Sequence, residues 1–506
     1  MVGTYAPRVS IVIPVYNAMP YLTGALESLL AQDLREFEII AIDDGSTDGS
    51  GDELDRFAAA DERVTVVHQP NSGWPGMPRN RGIELARGDF LFFMDADDTM
   101  APNALGDMVR MAEGEGSGRP ADVVIPRFEG SGGRRVQALF ARHPHGDISI
   151  ARAMETLSPQ KLFRRELIER AGLRFPEEKV RLEDGIFVTR AYTLARRILF
   201  CGRGPLYFIA LRDDGQNISS RTIDPDNYVG SCRRIAQILL EGVADRTAAE
   251  RLVLQFFQRK GLRFYVPKRW DRMTPETRVR WVELHRAFLA DLVPEELEDS
   301  VSHPTDRCKL SLIRAGDVAG LASLIAAEPI LEHLSRAASV RATPRGIEVG
   351  VSIAPTADDS PLRDAVPSAG RLRTVRRVDR ALSAFGGNRY ARGLDRRIAA
   401  VLTRGAPTLG LLLSGRRGYR TVALSGRLVD HDPRTGALEY AFVLSPKLLK
   451  SFGKDRVDMW TVAGTADGLT GARVRLGADD SAIEAGVSDR FYRTDGGNAA
   501  LRAARP

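Results

Sequence analysis

Phe90-Leu91-Phe92-Phe93-Met94, followed at once by Asp95-Ala96-Asp97-Asp98, is the stretch on which the fold turns. Five strand-forming apolar residues in a row read as a strand buried on both faces, the pattern of a parallel sheet covered by helices. The abrupt change to carboxylates puts oxygen ligands at the carboxyl end of that strand, where open α/β sheets receive their ligands. Clustered acids there suit a hard divalent cation carrying a nucleotide diphosphate. A solvated loop or a helix cap is the plainer reading of an isolated D-x-D, and the neighbouring chain has to separate the two.

The flanking chain repeats the pattern. Val9 to Tyr16 reads as a buried parallel strand closing at Pro14, and a helix follows with Leu22, Leu26, Leu29 and Leu30 on one face. Phe37 to Ile42 is a second strand that again ends on acids, Asp43-Asp44, before Gly45-Ser46-Thr47-Asp48. Val64 to Val67 is a third strand and Arg79 to Ala86 a helix. The alternation is βαβα, so helices cover both faces and the polar strand ends converge on one edge of one sheet. Farther on, residues 103 to 115 read as a helix and Ala121 to Phe128 as a strand, while Asp98 is unassigned, with a cap on that helix as its open alternative. Ile186 to Ala195 reads as a helix with Glu183-Asp184 at its N-terminus, where an acid pair is favoured by the helix dipole whether it caps or catalyses.

Composition sets bounds. The 506 residues allow roughly three domains. The formal charge of +6 and a pI near 9.3 admit an anionic substrate or an anionic membrane surface, and no nucleic-acid-binding signature accompanies them. Cys201, Cys232 and Cys308 fit no metal motif or disulfide framework, which points to a reducing compartment. No signal peptide is read at the start, because Val9 to Val15 follows a short polar segment and is broken at Pro14. No apolar run is long enough for a transmembrane helix, the closest being Leu409 to Leu413. A cytoplasmic protein, peripheral at the inner face of the membrane, is the expectation.

Taken together, Pro14-Val15-Tyr16-Asn17, Asp43-Asp44-Gly45-Ser46, Asn71-Ser72-Gly73, Pro78-Arg79-Asn80 and Asp95-Ala96-Asp97-Asp98 resemble the family 2 glycosyltransferases of the GT-A fold. A dinucleotide site would need G-x-G-x-x-G after the first strand, and none stands there. The resemblance implies a nucleotide-sugar site built from Pro14, Tyr16, Asp44, Asn71, Arg79 and Asp95. Asp44 would accept the imide proton of uracil and Arg79 would hold phosphate oxygens. Asp97 would bind Mn2+ or Mg2+, with Asp95 at the ribose or a metal-bound water. Asp184 would be the general base of an inverting transfer and Glu183 its neighbour at the donor sugar, the exchange of these two roles staying open. Arg212, Ser219 and Ser220, in the polar stretch Arg212 to Ser220, would touch phosphate as part of a closing loop; an ordinary surface connection is the alternative.

Trp74-Pro75-Gly76-Met77, Thr156-Leu157-Ser158-Pro159 and Phe175-Pro176-Glu177-Glu178 narrow the resemblance to the wall teichoic acid β-N-acetylglucosaminyltransferases that act on poly(ribitol phosphate). That branch implies a UDP-sugar donor, an anionic glycopolymer acceptor and a trimer assembled through C-terminal β-sandwich modules. A neutral polysaccharide acceptor, a non-catalytic scaffold that kept the fold, and a nucleotidyltransferase are the competing readings. The last lacks a Gly-rich, Lys-bearing loop after the first strand, and the second would have to explain why Asp95, Asp97 and Asp184 all persist.

The expected division is a GT-A α/β catalytic domain over 1–224, a helical linker domain over 225–340 with Trp270 and Trp281 as core anchors, and a C-terminal domain over 341–506. Short alternating runs at Gly346 to Ile353, Tyr419 to Val429, Leu438 to Leu444, Val457 to Val462 and Ala472 to Leu476 suggest an immunoglobulin-like β-sandwich there. An Arg-rich, helical stretch over 371–404 interrupts it, either as a solvated face or as a contact for a polyanion or membrane surface.

Overall fold

Val9–Val15 (β1), Phe37–Asp43 (β2), Val64–His68 (β3) and Phe90–Phe93 (β4) are parallel strands, and the helices Tyr21–Leu30, Ser50–Ala60 and Gly76–Leu85 connect them. The computed structural model describes residues 6–115, 118–133, 136, 139–140, 143–211, 223–364, 408–416, 420–432, 437–464, 468–477 and 482–503. β2 and β4 are buried along their whole length, as continuous apolar runs in a helix-covered parallel sheet should be. Pro14 does not stop β1 as expected. The ladder to β4 has already ended at Val12↔Phe93, so β1 is one-sided beyond that point, and its pairing with β2 continues to Val15↔Asp43.

Seven more strands complete the first unit: Thr99–Met100 (β5), Val123–Pro126 (β6), Phe128–Gly130 (β7), Gly146–Asp147 (β8), Leu162–Arg164 (β9), Ile198–Cys201 (β10) and Tyr207–Ile209 (β11). The main sheet runs β3-β2-β1-β4-β9-β6-β10-β8, with β9 antiparallel between β4 and β6, and β5-β11-β7 form a small second sheet. The chain reaches β3 on one side of β1 and then crosses to lay β4 on the other. Ligands of open α/β sheets sit at such a switch point.

The chain divides into two compact units, Met1–Phe256 and Phe257–Pro506. In the second, helices continue to Val318–Leu331, and Trp270 and Trp281 are core residues as expected. Trp281 stacks on Phe264 with ring centroids 3.9 Å apart, and His285 beside it meets Tyr265 Oη through Nδ1 at 2.9 Å. Ten strands follow, from His333–Thr343 (β12) and Gly346–Pro355 (β13) through Thr408–Gly415 (β14), Thr421–Ser425 (β15), Arg427–Asp432 (β16), Ala437–Leu444 (β17), Arg456–Gly464 (β18) and Leu469–Arg475 (β19) to Phe491–Arg493 (β20) and Ala499–Arg502 (β21). The described residues of the C-terminal region are mainly β, but the immunoglobulin-like sandwich is not the arrangement found among them. A sandwich needs two separate sheets, whereas the parallel pairing of β12 with β19 at Ser335↔Val474 and Arg336↔Arg475 joins the strands into one sheet, whose larger core includes Val349, Val351, Leu411, Val457 and Met459. The Arg-rich stretch 371–404 lies outside the described residues. Among the described residues no helix is long and apolar enough to cross a membrane.

Candidate active site

The site lies along the carboxyl edge of β1, β2 and β4. At the end of β1, Pro14 is half-buried and the Tyr16 ring is 51% exposed. Asn17 adopts φ 47°, the left-handed region that asparagine tolerates. There its backbone N–H donates to Ser46 Oγ (3.1 Å) and its Oδ1 accepts from the Thr47 N–H (2.9 Å), tying the loop after β1 to the loop after β2.

The two acids ending β2 divide their work. Asp43 accepts from the Ser46 N–H and meets His68 Nδ1 at 2.9 Å, while His68 Nε2 reaches Asp55 at 3.0 Å. Asp43 is thus part of the frame. Asp44, also buried, accepts from Gln69 Nε2 (2.7 Å), the Ser72 N–H (3.0 Å) and Ser72 Oγ (2.8 Å). Those bonds use three of the about four acceptor positions of a carboxylate, leaving one for a ligand. Asn71 is exposed beside them, and its backbone approaches Gly45 so closely that a Cβ there would lie 2.8 Å from Asn71 N. Gly45, at φ 76°, is therefore required twice over.

Pro78-Arg79-Asn80 sits on the helix Gly76–Leu85, and neighbouring residues grip different partners. Asn80 Nδ2 donates to the Phe175 carbonyl and to Glu177 Oε1, both at 2.9 Å, and its Oδ1 accepts the Phe175 N–H at 2.9 Å. This lays the Phe175 ring beneath Arg79, whose Cζ is 5.2 Å from the ring centroid, and Phe175 in turn stacks on Phe187 at 4.0 Å. Arg79 is almost wholly buried and bridges the acids: Nη1 meets Asp184 Oδ1 at 2.6 Å, Nη2 meets Asp95 Oδ1 at 3.2 Å, and Glu183 stands 3.9 Å away. Its Nε is buried with no hydrogen-bond partner among the described residues. One guanidinium thus gathers acids from two separate parts of the chain.

In the D-A-D-D stretch the acids are held differently. Asp95 accepts from Arg79 on one oxygen and from Gln160 Nε2 on the other (2.6 Å), and keeps 39% of its side chain in solvent. Asp97 is half-buried beside it. Asp98 does not cap the following helix. It accepts from Tyr207 Oη (2.7 Å) and the Ala210 N–H (2.9 Å), and burial with the nearby Asp95 and Asp97 charges pushes its carboxyl up to about 8.

Glu183 and Asp184 open the helix Glu183–Leu194 straight after Leu182, which adopts φ 60°. A leucine in this region costs roughly 1–3 kcal/mol, and the bend sets both acids in the first turn, facing Arg79. Burial raises both carboxyl groups, Glu183 to about 8 with the Asp184 charge adding to the rise. Arg79 opposes the shift at each, and it touches only Asp184. Asp184 is consequently the better held as a carboxylate.

Arg79, Asp95, Glu183 and Asp184 therefore meet, Asp97 and Asp44 line the same edge, and Arg212, Ser219 and Ser220 lie outside the described residues. Gln160, Lys161 and Tyr207 were not singled out from sequence. The signal for the first two was a polar pair, Gln160-Lys161, immediately before an apolar strand. For a divalent cation the donor set is hard oxygen, which fits Mg2+ or Mn2+. No group of three or more His, Cys, Asp or Glu arranged to hold a metal is found among the described residues, but such ions need only one or two carboxylates when substrate phosphates complete the shell.

The family 2 profile, "Glycosyl transferase family 2", matches residues 10–175. Glycosyltransferase GlyG of Streptococcus pneumoniae is 31% identical over 210 residues, 38% of this chain and 67% of that one. The chain belongs to glycosyl transferase family 2. "Glycosyl transferase TarS linker domain" matches residues 225–325. The poly(ribitol-phosphate) beta-glucosyltransferase of Bacillus spizizenii is 30% identical over 320 residues, 62% of this chain and 49% of that one. The poly(ribitol-phosphate) beta-N-acetylglucosaminyltransferase TarS of Staphylococcus aureus is 30% identical over 256 residues, 50% of this chain and 44% of that one. The chain spans about half the length of these two relatives. The crystal structure of S. aureus TarS 1-349 in complex with UDP-GlcNAc superposes with TM-score 0.57 at 25% identity, covering 68% of this chain and 96% of that one.

Proposed function

We propose that the chain is a metal-dependent, inverting glycosyltransferase that moves a hexose, foremost N-acetylglucosamine from UDP-GlcNAc, onto a hydroxyl of poly(ribitol phosphate). The observation that carries the reading is the Arg79 bridge, which sets a candidate base, Asp184, beside a candidate donor-binding acid, Asp95, at the carboxyl edge of the sheet. The two relatives named for poly(ribitol-phosphate) transfer support the acceptor class, and their names differ in the sugar, glucose or N-acetylglucosamine.

In this reading Asp44 offers its remaining acceptor position to the uracil imide, while Pro14, Asn71 and the exposed Tyr16 ring frame the base. Arg79 turns N–H donors toward the diphosphate, and Asp95 orients the ribose. Asp97, with Asp95 beside it, would hold Mn2+ or Mg2+, which when bound would supply positive charge against the departing diphosphate. Asp184 accepts the proton of the acceptor hydroxyl as its oxygen bonds to the anomeric carbon. The bond from that carbon to the UDP oxygen breaks, UDP leaves with the electron pair, and configuration inverts. Glu183, raised to about 8 and therefore protonated near neutrality, donates a hydrogen bond to the sugar instead of competing as base. Phosphate contacts from Arg212, Ser219 and Ser220 rest on the sequence alone. Residues 1–224 carry the chemistry, 225–340 are the helical linker, and 341–506 serve trimer formation or acceptor binding, in the cytoplasm against the inner membrane face.

Turnover of UDP-glucose and UDP-GlcNAc, each with and without poly(ribitol phosphate) and Mn2+, tests the proposal. Transfer that depends on both polymer and metal is expected. Sugar transfer that ignores the polymer would remove this acceptor, and no turnover of either donor would remove the reading itself.

A further inference from the structure

Asp95 and Asp184 are braced from two sides. On one stands Arg79. On the other is the turn Thr156–Lys161, leading into β9. Gln160 donates to Asp95, and the Thr156 carbonyl accepts from Tyr192 Oη at 3.0 Å, on the helix that opens with Glu183 and Asp184. Lys161 closes this turn. Its side chain is fully buried, and its ammonium donates to the Ser158 carbonyl and, at 3.4 Å, to Thr156 Oγ1. A buried ammonium persists only with hydrogen bonds and an anion to compensate it. Burial pushes Lys161 down to about 7, and the Asp184 carboxylate is the charge that opposes the fall.

The two braces differ once a donor binds. A diphosphate that takes the N–H groups of Arg79 competes directly with Asp95 and Asp184 for the same donors. The Lys161 turn is out of its reach, since the ammonium has no surface in contact with solvent. We propose that Lys161 is a positioning residue for transfer: by closing the Thr156–Lys161 turn it keeps Gln160 on Asp95 and Thr156 on the Asp184 helix while Arg79 is engaged by the donor. The assignment rests on the transferase reading above.

The test uses the full chain with K161M, K161R and Q160L, comparing kcat, donor KM and thermal midpoint. K161M should lose about a hundredfold in kcat, the scale expected when a reacting group is misplaced by about 1 Å, with donor KM moving less than about threefold. K161R, which keeps the charge and donors, should regain part of the loss. Wild-type kcat in K161M, or equal losses in K161M and K161R that follow only their thermal midpoints, would overturn the assignment. Should K161M not fold, Q160L, with Lys161 still in place, has to show the same kcat-over-KM split, and unchanged kinetics there overturn it. Wild-type protein is assayed first. If it turns over neither donor, the transferase reading has failed, and a crystal structure of K161M decides the turn: loss of the Gln160–Asp95 bond upholds the brace, and its retention refutes it.

Discussion

Removing the Arg79 guanidinium leaves Asp95, Glu183 and Asp184 facing one another without the cation that pairs with all three. Breaking a buried ion pair from one side costs about 3–5 kcal/mol. Arg79→Met should fall toward the lower end, because Asp95 and Asp184 keep 39% and 29% of their side chains in water. Denaturant unfolding of the variant measures this, and wild-type stability would show that the bridge is ornamental. Asp184→Asn removes the proposed base and one of the charges paired with Arg79 while keeping a side chain of the same shape, so UDP affinity by calorimetry should stay near wild type while transfer falls by at least about a hundred- to ten-thousandfold. Equal losses in Asp184→Asn and Glu183→Gln would instead mean that the roles are shared. Single residues such as Asp44 and Asp97 were legible in the sequence because carboxylates at strand ends mark the ligand edge of the sheet, and Arg79 because a charged fork stands in the helix that follows the third strand. Gln160 and Lys161 were not, since their importance lies in what they touch, and Lys161 is invisible as a buried ion until β9 is packed between β4 and β6.

Among the elements, the helix Gly76–Leu85 depends on close approach. A Cβ on Gly76 would lie 1.9 Å from the Pro176 carbonyl oxygen, beside the Phe175 ring that supports Arg79. Gly76→Ala should therefore destabilise by about 1–3 kcal/mol, as overpacking does, and should lower transfer along with thermal midpoint. A variant indistinguishable from wild type would show that the two segments separate freely. In the second unit, the helix Pro275–Leu292 carries His285 in an aromatic cluster of Phe257, Phe264, Tyr265 and Trp281. Burial drives its imidazole down to about 3. The folded unit then binds fewer protons than the unfolded chain between about pH 3 and 6.5, so this group's contribution is fully present above pH 6.5 and is lost as pH falls toward 3. His285→Gln, which keeps an acceptor for Tyr265, should flatten the acid side of the stability profile over that window. An unchanged slope would put the acid sensitivity elsewhere. Most strands and the longer helices except Ser50–Ala60 were legible from periodicity. β12 was not, because its alternation begins at His333, directly behind the helix Val318–Leu331.

For the whole molecule, the division into Met1–Phe256 and Phe257–Pro506 confines every described candidate site residue to the first unit. A ligand that binds only the folded first unit should stabilise that unit alone, by about 2.7 kcal/mol at a hundred times its dissociation constant. Calorimetry with UDP and Mn2+ should accordingly shift one transition and leave a second in place; a uniform shift would mean that the units melt together. The sequence by itself determined the α/β order, the sheet edge on which the acids gather, the helical segment and the mainly β character of the described C-terminal residues, because hydrophobic period and strand-end chemistry are local properties of the chain. Only the tertiary structure decided that Asp95 and Asp184 share one arginine, that the Thr156–Lys161 turn braces both, that Asp98 serves Tyr207, and that the last ten strands join in one sheet. Each of these depends on contacts between residues far apart in the chain. Such contacts are set by strand order, register and burial, and no local pattern encodes them. The D-A-D-D stretch that announces the fold thus gains its chemistry from Arg79 and Gln160, which reach it from either side.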